Sequence, residues 1–313
     1  MELFLSLLVV GLATGAIYAL IALGYTMVYG IIELINFAHS DIFMIGTFVT
    51  ITLEGLFGIT SDSPPKSITS DLILRLVLIG IGAFLVCALL GVIIERIAYK
   101  PLRNAPRLAP LISAIGVSLI LQDVGKLWKG STDVSFPNLP TPSIRVGAIN
   151  IDSVNIFVIV IAVLLMVGLQ FLITRTRIGR AMRAVAQDRD AAALMGVDVD
   201  RIITFTFFIG AGLAGAAGCI YGLKFPNTVF NIGFQLGLIA FTAAVLGGIG
   251  NIVGAMVGGL VVGLITSLIS LLPDTVLPHG GNAWNNAIIF AILILILVFR
   301  PSGLLGQQAP EKV

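Results

Sequence analysis

The most unusual polar cluster in this sequence is Asn36-Phe37-Ala38-His39-Ser40-Asp41, set between two long apolar runs, Leu3–Ile32 and Ile42–Ile59. An amide, an imidazole and a carboxylate at membrane depth are candidates for lining a polar pathway, because ionisable groups there are costly and are found at functional sites. A broken helix beside a cavity is where such groups are satisfied. Asn36, His39 and Asp41 are the candidate pathway residues. A second reading stands beside this one: a cytoplasmic turn whose Asp41 caps the next helix. Catalysis finds little support. The chain has 2 histidines, His39 and His279. His-Glu-x-x-His, Gly-x-Ser-x-Gly and Gly-x4-Gly-Lys-Ser/Thr are all absent, and Gly125-Lys126 lacks the upstream glycine and the following hydroxyl. The chain therefore has no phosphate loop for ATP hydrolysis, and no metal site is expected. Glu33, Asp41, Glu54, Glu95 and Asp123 fall at span ends, not as a facing intramembrane pair.

A second stretch, Arg175 to Arg201, is a polar island holding Arg175, Arg177, Arg180, Arg183, Arg189 and Arg201. Apolar runs flank it, Val154–Ile173 and Ile202–Ile220. Each arginine would cost roughly 2.5–3.5 kcal/mol in the centre of a bilayer, and the positive-inside rule places the island in the cytoplasm. Within it, Asp190 is suited to cap a short helix of Ala191, Ala192, Ala193, Leu194 and Met195. Gly196 supplies the left-handed stop. An amphipathic piece, Ile178–Gln187, leads into this element. Two readings are open: an ordinary loop between spans, or a helix that plugs into a partner's groove.

These residues need a frame, and composition says what it is. Hydrophobic residues make up 58% and charged residues 11%, where a soluble domain carries about 25% charged. Mean hydropathy is +1.07. The expected fold is all-α, a polytopic helical bundle occupying residues 1–313 as one transmembrane domain. A net charge of +2 argues for no nucleic-acid partner. Cys87 and Cys219 lie in apolar runs, so no disulfide framework is indicated. Met1-Glu2-Leu3-Phe4 lacks a basic leader and reads as the start of a retained span.

At about 20 apolar residues per crossing, the chain divides into about nine spans. Leu3–Ile32 is longer than one crossing needs, so a tilt, kink or break is expected in it. A broken or re-entrant element is expected near Asn36–Asp41, and a tight turn or re-entrant corner over Gly247–Asn251. Ser61–Lys66 reads as a turn-rich outer loop. Residues 130–153, with Pro137, Pro140 and Pro142, form the largest external loop. Residues 175–201 form the cytoplasmic loop described above, and Glu95–Arg107, with Arg96, Lys100, Arg103 and Arg107, is a second one. Arg300 and Lys312 place the C-terminus inside, and the charge distribution places the N-terminus outside. Gly11-Leu12-Ala13-Thr14-Gly15-Ala16 echoes Gly212-Leu213-Ala214-Gly215-Ala216-Ala217, a pattern that packed small-residue faces also produce.

Several motifs in order resemble one family. Gly24-Tyr25-Thr26-Met27-Val28-Tyr29-Gly30-Ile31-Ile32, followed by Ile35-Asn36-Phe37-Ala38-His39, is similar to the membrane subunit of branched-chain amino-acid ABC importers, the LivH type. Ile94-Glu95-Arg96-Ile97-Ala98-Tyr99-Lys100-Pro101-Leu102-Arg103, Leu111–Gly116, Gly179–Ala184, Phe241–Gly250 and Arg300–Gly306 extend the resemblance along the whole chain. Ser40 departs from it, because the family commonly has glycine there. Asp190-Ala191-Ala192-Ala193-Leu194-Met195-Gly196 resembles the Glu-Ala-Ala-x-x-x-Gly coupling motif of importer permeases, with Asp for Glu and without the Ile-x-Leu-Pro tail.

The resemblance implies a machine in the bacterial inner membrane. It would contain this chain, a homologous second permease (a heterodimer), two ATP-binding subunits and a periplasmic substrate-binding protein, with membrane lipid around the spans. This chain would hold no cofactor; ATP and Mg would sit in the partner ATPases. Asp190, Ala191, Ala192, Leu194, Met195 and Gly196 would form the ATPase-coupling element. Branched-chain, hydrophobic amino acids would cross by alternating access. The rivals are a related permease for urea or short amides, and a stand-alone carrier or channel. The latter predicts charges buried mid-span and leaves Asp190–Gly196 without a role.

Overall fold

The structure, a computed structural model, describes residues 2–60, 65, 67, 69–103, 105–106, 108–139, 142–146, 149–273 and 275–306. Ser61–Pro64, Lys66, Arg107, Pro140 and Lys312, all named above, lie outside the described residues. The helices are α1 (Glu2–Ile32), α2 (His39–Leu56), α3 (Ser70–Ile94), α4 (Leu108–Lys129), α5 (Ser153–Arg175), α6 (Arg177–Gln187), α7 (Arg189–Leu194), α8 (Val199–Lys224), α9 (Ile232–Gly247), α10 (Ile252–Ile269) and α11 (Gly280–Phe299). A π-turn over Glu95–Tyr99 and a 3-10 turn over Lys100–Leu102 prolong α3.

Among the described residues, seven helices are long and apolar enough to cross a membrane: α1, α3, α4, α5, α8, α10 and α11. The less apolar α2 and the shorter α9 lie within the bundle, with Phe43, Met44, Phe48, Ala240 and Ala243 buried. Seven such helices stand against the about nine spans expected; α9 falls short in length and α2 in hydropathy of a full crossing. β1 (Val134–Ser135) pairs antiparallel with β4 (Asn227–Thr228), and β2 (Ser143–Val146) pairs antiparallel with β3 (Ile149–Asp152).

The first apolar run contains no break. α1 is continuous over 31 residues, about 46 Å at 1.5 Å per residue. It is longer than a hydrocarbon core of ~30 Å, and the chain breaks only after Ile32. α1 and α8 are the most buried of the seven. Lipid tails are as apolar as side chains, so spans associate through close backbone packing at small residues. A Cβ added at Gly263 of α10 would lie 2.2 Å from Gly15 Cα of α1. One added at Gly218 of α8 would lie 2.8 Å from the Gly46 carbonyl carbon of α2. The echo between the two small-residue stretches is therefore explained by packing: each forms the contact face of a central span.

One end of the bundle collects the basic segments. Arg103, after α3, pairs with Asp200 in the first turn of α8. Arg189 donates to the Ile31 carbonyl at the end of α1 at 2.7 Å. A Cβ on Gly30 would lie 3.6 Å from Gly250. The Gly247–Asn251 corner is a tight turn between α9 and α10, with Gly248 at φ 106° and Gly250 at φ 92°. Residues after α11 return to it: Leu304 and Leu305 N–H donate to the Leu246 and Gly247 carbonyls at 2.8 and 3.0 Å. A Cβ at Gly248 would lie 2.5 Å from Gly306 N, which is why glycine occupies both sides of that contact. Two separate sequence motifs thus meet in one knot.

Candidate coupling helix and translocation site

The polar island folds as α6 and α7. Thr176 caps α6, accepting from Gly179 N at 3.0 Å. Asp188, not Asp190, caps α7: its Oδ1 accepts from Asp190 N and Ala191 N, both at 2.9 Å. Asp190 falls inside the first turn, where its charge still favours the helix N-terminus. The far end closes as a Schellman motif. Val197 N–H donates to the Ala192 carbonyl at 3.0 Å and Gly196 N–H to the Ala193 carbonyl at 2.9 Å, with Gly196 at φ 84°. Ala192 turns inward and is buried, whereas Leu194 is 88% and Met195 85% exposed. Leu194 and Met195 therefore form an exposed apolar knob, with Ala191 and Ala193 exposed beside it.

Rigid links run from this knob into the bundle. Arg189, the first residue of α7, holds the Ile31 carbonyl of α1. On the other side, Glu95 is fully buried and accepts from Arg103 and, at 3.0 Å, from Thr204 of α8. Arg103 and Lys100 both pair with Asp200, Lys100 at 2.8 Å. The segment read from sequence as a basic loop is thus an ion-paired clamp between α3 and α8. Leaving one member of such a pair buried and unpartnered costs about 3–5 kcal/mol.

The Asn36–Asp41 cluster lies deeper. After α1 the chain turns at Glu33, whose φ is 59°, and runs without helix to Ala38. α2 then begins at His39, packed on Gly24 and Tyr25, well before the end of α1. Asn36, His39 and Asp41 are 2%, 1% and 0% exposed. Asp41 does not cap α2; the capping position is Ala38 and no side chain bonds there. Instead Asp41 Oδ2 accepts from Ser118 Oγ at 2.5 Å, midway along α4. This places it roughly 15 Å from the basic end of that helix. The reading of Asp41 as the cap of α2 is therefore corrected, and the broken element lies buried within the bundle. Asn36 Oδ1 accepts from Tyr99 OH at 2.7 Å, and the rings of Tyr25 and His39 meet edge to face at 5.0 Å. Asn36 Nδ2, His39 Nε2, Asp41 Oδ1 and Thr26 Oγ1 are buried without a hydrogen-bond partner. Buried polar groups are otherwise almost always satisfied, which makes these atoms candidates for a site.

Comparison with known proteins bears on this arrangement. Residues 7–297 match the family model described as branched-chain amino acid transport system / permease component. The chain belongs to that permease family. The permease is 42% identical to the high-affinity branched-chain amino acid transport system permease protein BraD of Pseudomonas aeruginosa, over 99% of this chain and 98% of the relative. It is also 42% identical to LivH of Escherichia coli K12, over 99% and 98%. LivM of Salmonella typhimurium aligns at 28% identity over 50% of this chain and 36% of that protein.

Sequence reasoning identified Asn36, His39 and Asp41 but missed what surrounds them in the permease. Tyr99 lies inside a quoted motif yet gives no sign of its reach to Asn36. Ser118 and Gln122 sit one turn apart on α4, with Gln122 Nε2 donating to Ser118 Oγ at 3.3 Å. Two polar residues one helical turn apart in an apolar span were the available signal. Among the described residues, no group of three or more His, Cys, Asp or Glu could hold a metal ion.

Proposed function

We propose that this chain is the membrane-spanning subunit of an ATP-driven importer of branched-chain amino acids, working by alternating access. The exposed Leu194–Met195 knob on a doubly capped helix, tied through Arg189 to the end of α1, carries this reading. A partner ATPase docks on α7, and its closure pulls on α1 immediately before the broken element. Asn36, His39 and Asp41 then border the route. The basic end faces the cytoplasm, so the C-terminal knot lies inside and the N-terminus outside. ATP and Mg are held by two ATPase subunits, a second permease completes the pathway, and a binding protein delivers cargo at the opposite face. The names of the relatives at about 42% identity favour branched-chain amino acids over urea or short amides as cargo. A stand-alone carrier would leave the α7 knob without a role.

The test is uptake in liposomes containing the co-expressed subunits, loaded with ATP and supplied with binding protein. Leucine, isoleucine and valine should accumulate only with ATP and all subunits present. Uptake of leucine by the purified chain alone would contradict the reading.

A further inference from the structure

A half-open cleft of about 410 Å³ lies between α2, α4 and α9, next to the broken element. This volume is within the range of about 300–1,000 Å³ common for small-molecule sites. Its polar wall consists of Tyr25, Ser40, Ser118 and Gln122, and its apolar wall of Ile115, Leu119, Phe234 and Leu238.

The protons of the polar wall are already committed. Ser118 O–H donates to Asp41 at 2.5 Å, Ser40 O–H donates to the Phe37 carbonyl at 3.2 Å, and Gln122 spends one N–H on Ser118 at 3.3 Å. The Tyr25 hydroxyl is hydrogen-bonded to Ser40. What remains toward the cleft is mainly lone pairs: Ser118 Oγ, Ser40 Oγ and Gln122 Oε1. Behind them, one hydrogen bond away, is the carboxylate of Asp41, 0% exposed and with Oδ1 unpartnered. No lysine or arginine is among the residues lining the cleft. Such a wall repels an anion and accepts a group with several N–H donors. α9 lies directly over the acid, since a Cβ at Gly233 would come within 2.8 Å of Asp41 Oδ1 and one at Gly237 within 2.4 Å of Ser40 Oγ.

We propose that this cleft seats the α-ammonium group of the transported amino acid on the Ser118–Gln122–Ser40 acceptors, backed by Asp41, with the aliphatic side chain on the Leu119–Leu238 wall. The proposal rests on the reading of the chain as an amino-acid permease. An ammonium brings three donors to three acceptors. The substrate's carboxylate points out of the open side, toward groups outside this chain. Asp41 is a positioning residue, which orients the Ser118 hydroxyl and sets the sign of the site.

The experiment uses the complete importer in proteoliposomes and reads radiolabelled leucine uptake and ATP hydrolysis in parallel. Asp41→Asn and Gln122→Lys should each lower leucine taken up per ATP hydrolysed at least tenfold, the second because a tethered ammonium occupies the acceptors. Gln122 is only half-buried, so Gln122→Lys keeps the test open if Asp41→Asn does not assemble. A wild-type ratio in Gln122→Lys would overturn the proposal, as would a parallel fall in uptake and hydrolysis that leaves the ratio unchanged. A wild-type importer that takes up no leucine would instead count against the permease reading itself.

Discussion

A methyl group added at Gly24 would sit 2.0 Å from His39 Nε2. His39 has no free space to move into, since it is 1% exposed and its ring packs edge-on against Tyr25. Gly24→Ala should therefore displace the imidazole and destabilise the break by about 1–3 kcal/mol, the usual cost of overpacking. Gly30→Ala, whose nearest neighbour would be 3.6 Å away, is the matched control. Melting of the purified chain in detergent, compared between the two variants, checks this; equal melting would show that the His39 contact is not tight. At this scale the sequence displayed the unusual residues but not their partners. Asn36, His39 and Asp41 are conspicuous because polar groups are rare in such runs. Tyr99 and Ser118 reach them across 63 and 77 positions, and no local spacing encodes a contact of that span.

The elements were more legible, with instructive slips. α7 was recognisable from its alanines and its glycine stop, but its cap was assigned to Asp190. Two acids flank Arg189, and composition does not distinguish a capping position from a first-turn position. Only the backbone geometry does, with Asp188 extended at φ −157° and its carboxylate turned onto the two following N–H groups. Asp188→Ala should destabilise α7 by about 0.5–2 kcal/mol, and Asp190→Ala by less than about 1 kcal/mol, the usual worth of a charge near a helix end. Hydrogen exchange of the 191–194 amides measures both; greater loss of protection in Asp190→Ala would restore Asp190 as the cap. A similar ambiguity affected α1. Length alone predicted a disturbance, but a helix of strong formers with no proline has no local reason to break. The break falls where Glu33 takes a left-handed turn and polar residues follow.

At the scale of the molecule, composition and charge pattern were sufficient for the class and the approximate number of spans. They could not show that the basic segments converge. The Arg103–Glu95–Thr204 clamp, the Arg189–Ile31 link and the knot between Gly248 and Gly306 gather five distant segments at one end. That convergence fastens α7 to α1 through Arg189 on one side, with α8 following on the other. Under the proposed coupling role α7 would act as a lever, with the exposed Leu194 and Met195 as its docking surface and Asp190 contributing only to the first turn.

On the proposed reading, α7 is the seat of a partner ATPase. A cysteine at Ala193, which is exposed beside the knob, can be introduced after replacing the two buried cysteines, Cys87 and Cys219, with alanine. Crosslinking in native membranes should join this chain to an ATPase-sized protein, and ATP should change the yield at least twofold. An Ala193→Cys chain that crosslinks to no such protein, while the membranes still take up leucine at the wild-type rate, would contradict the account.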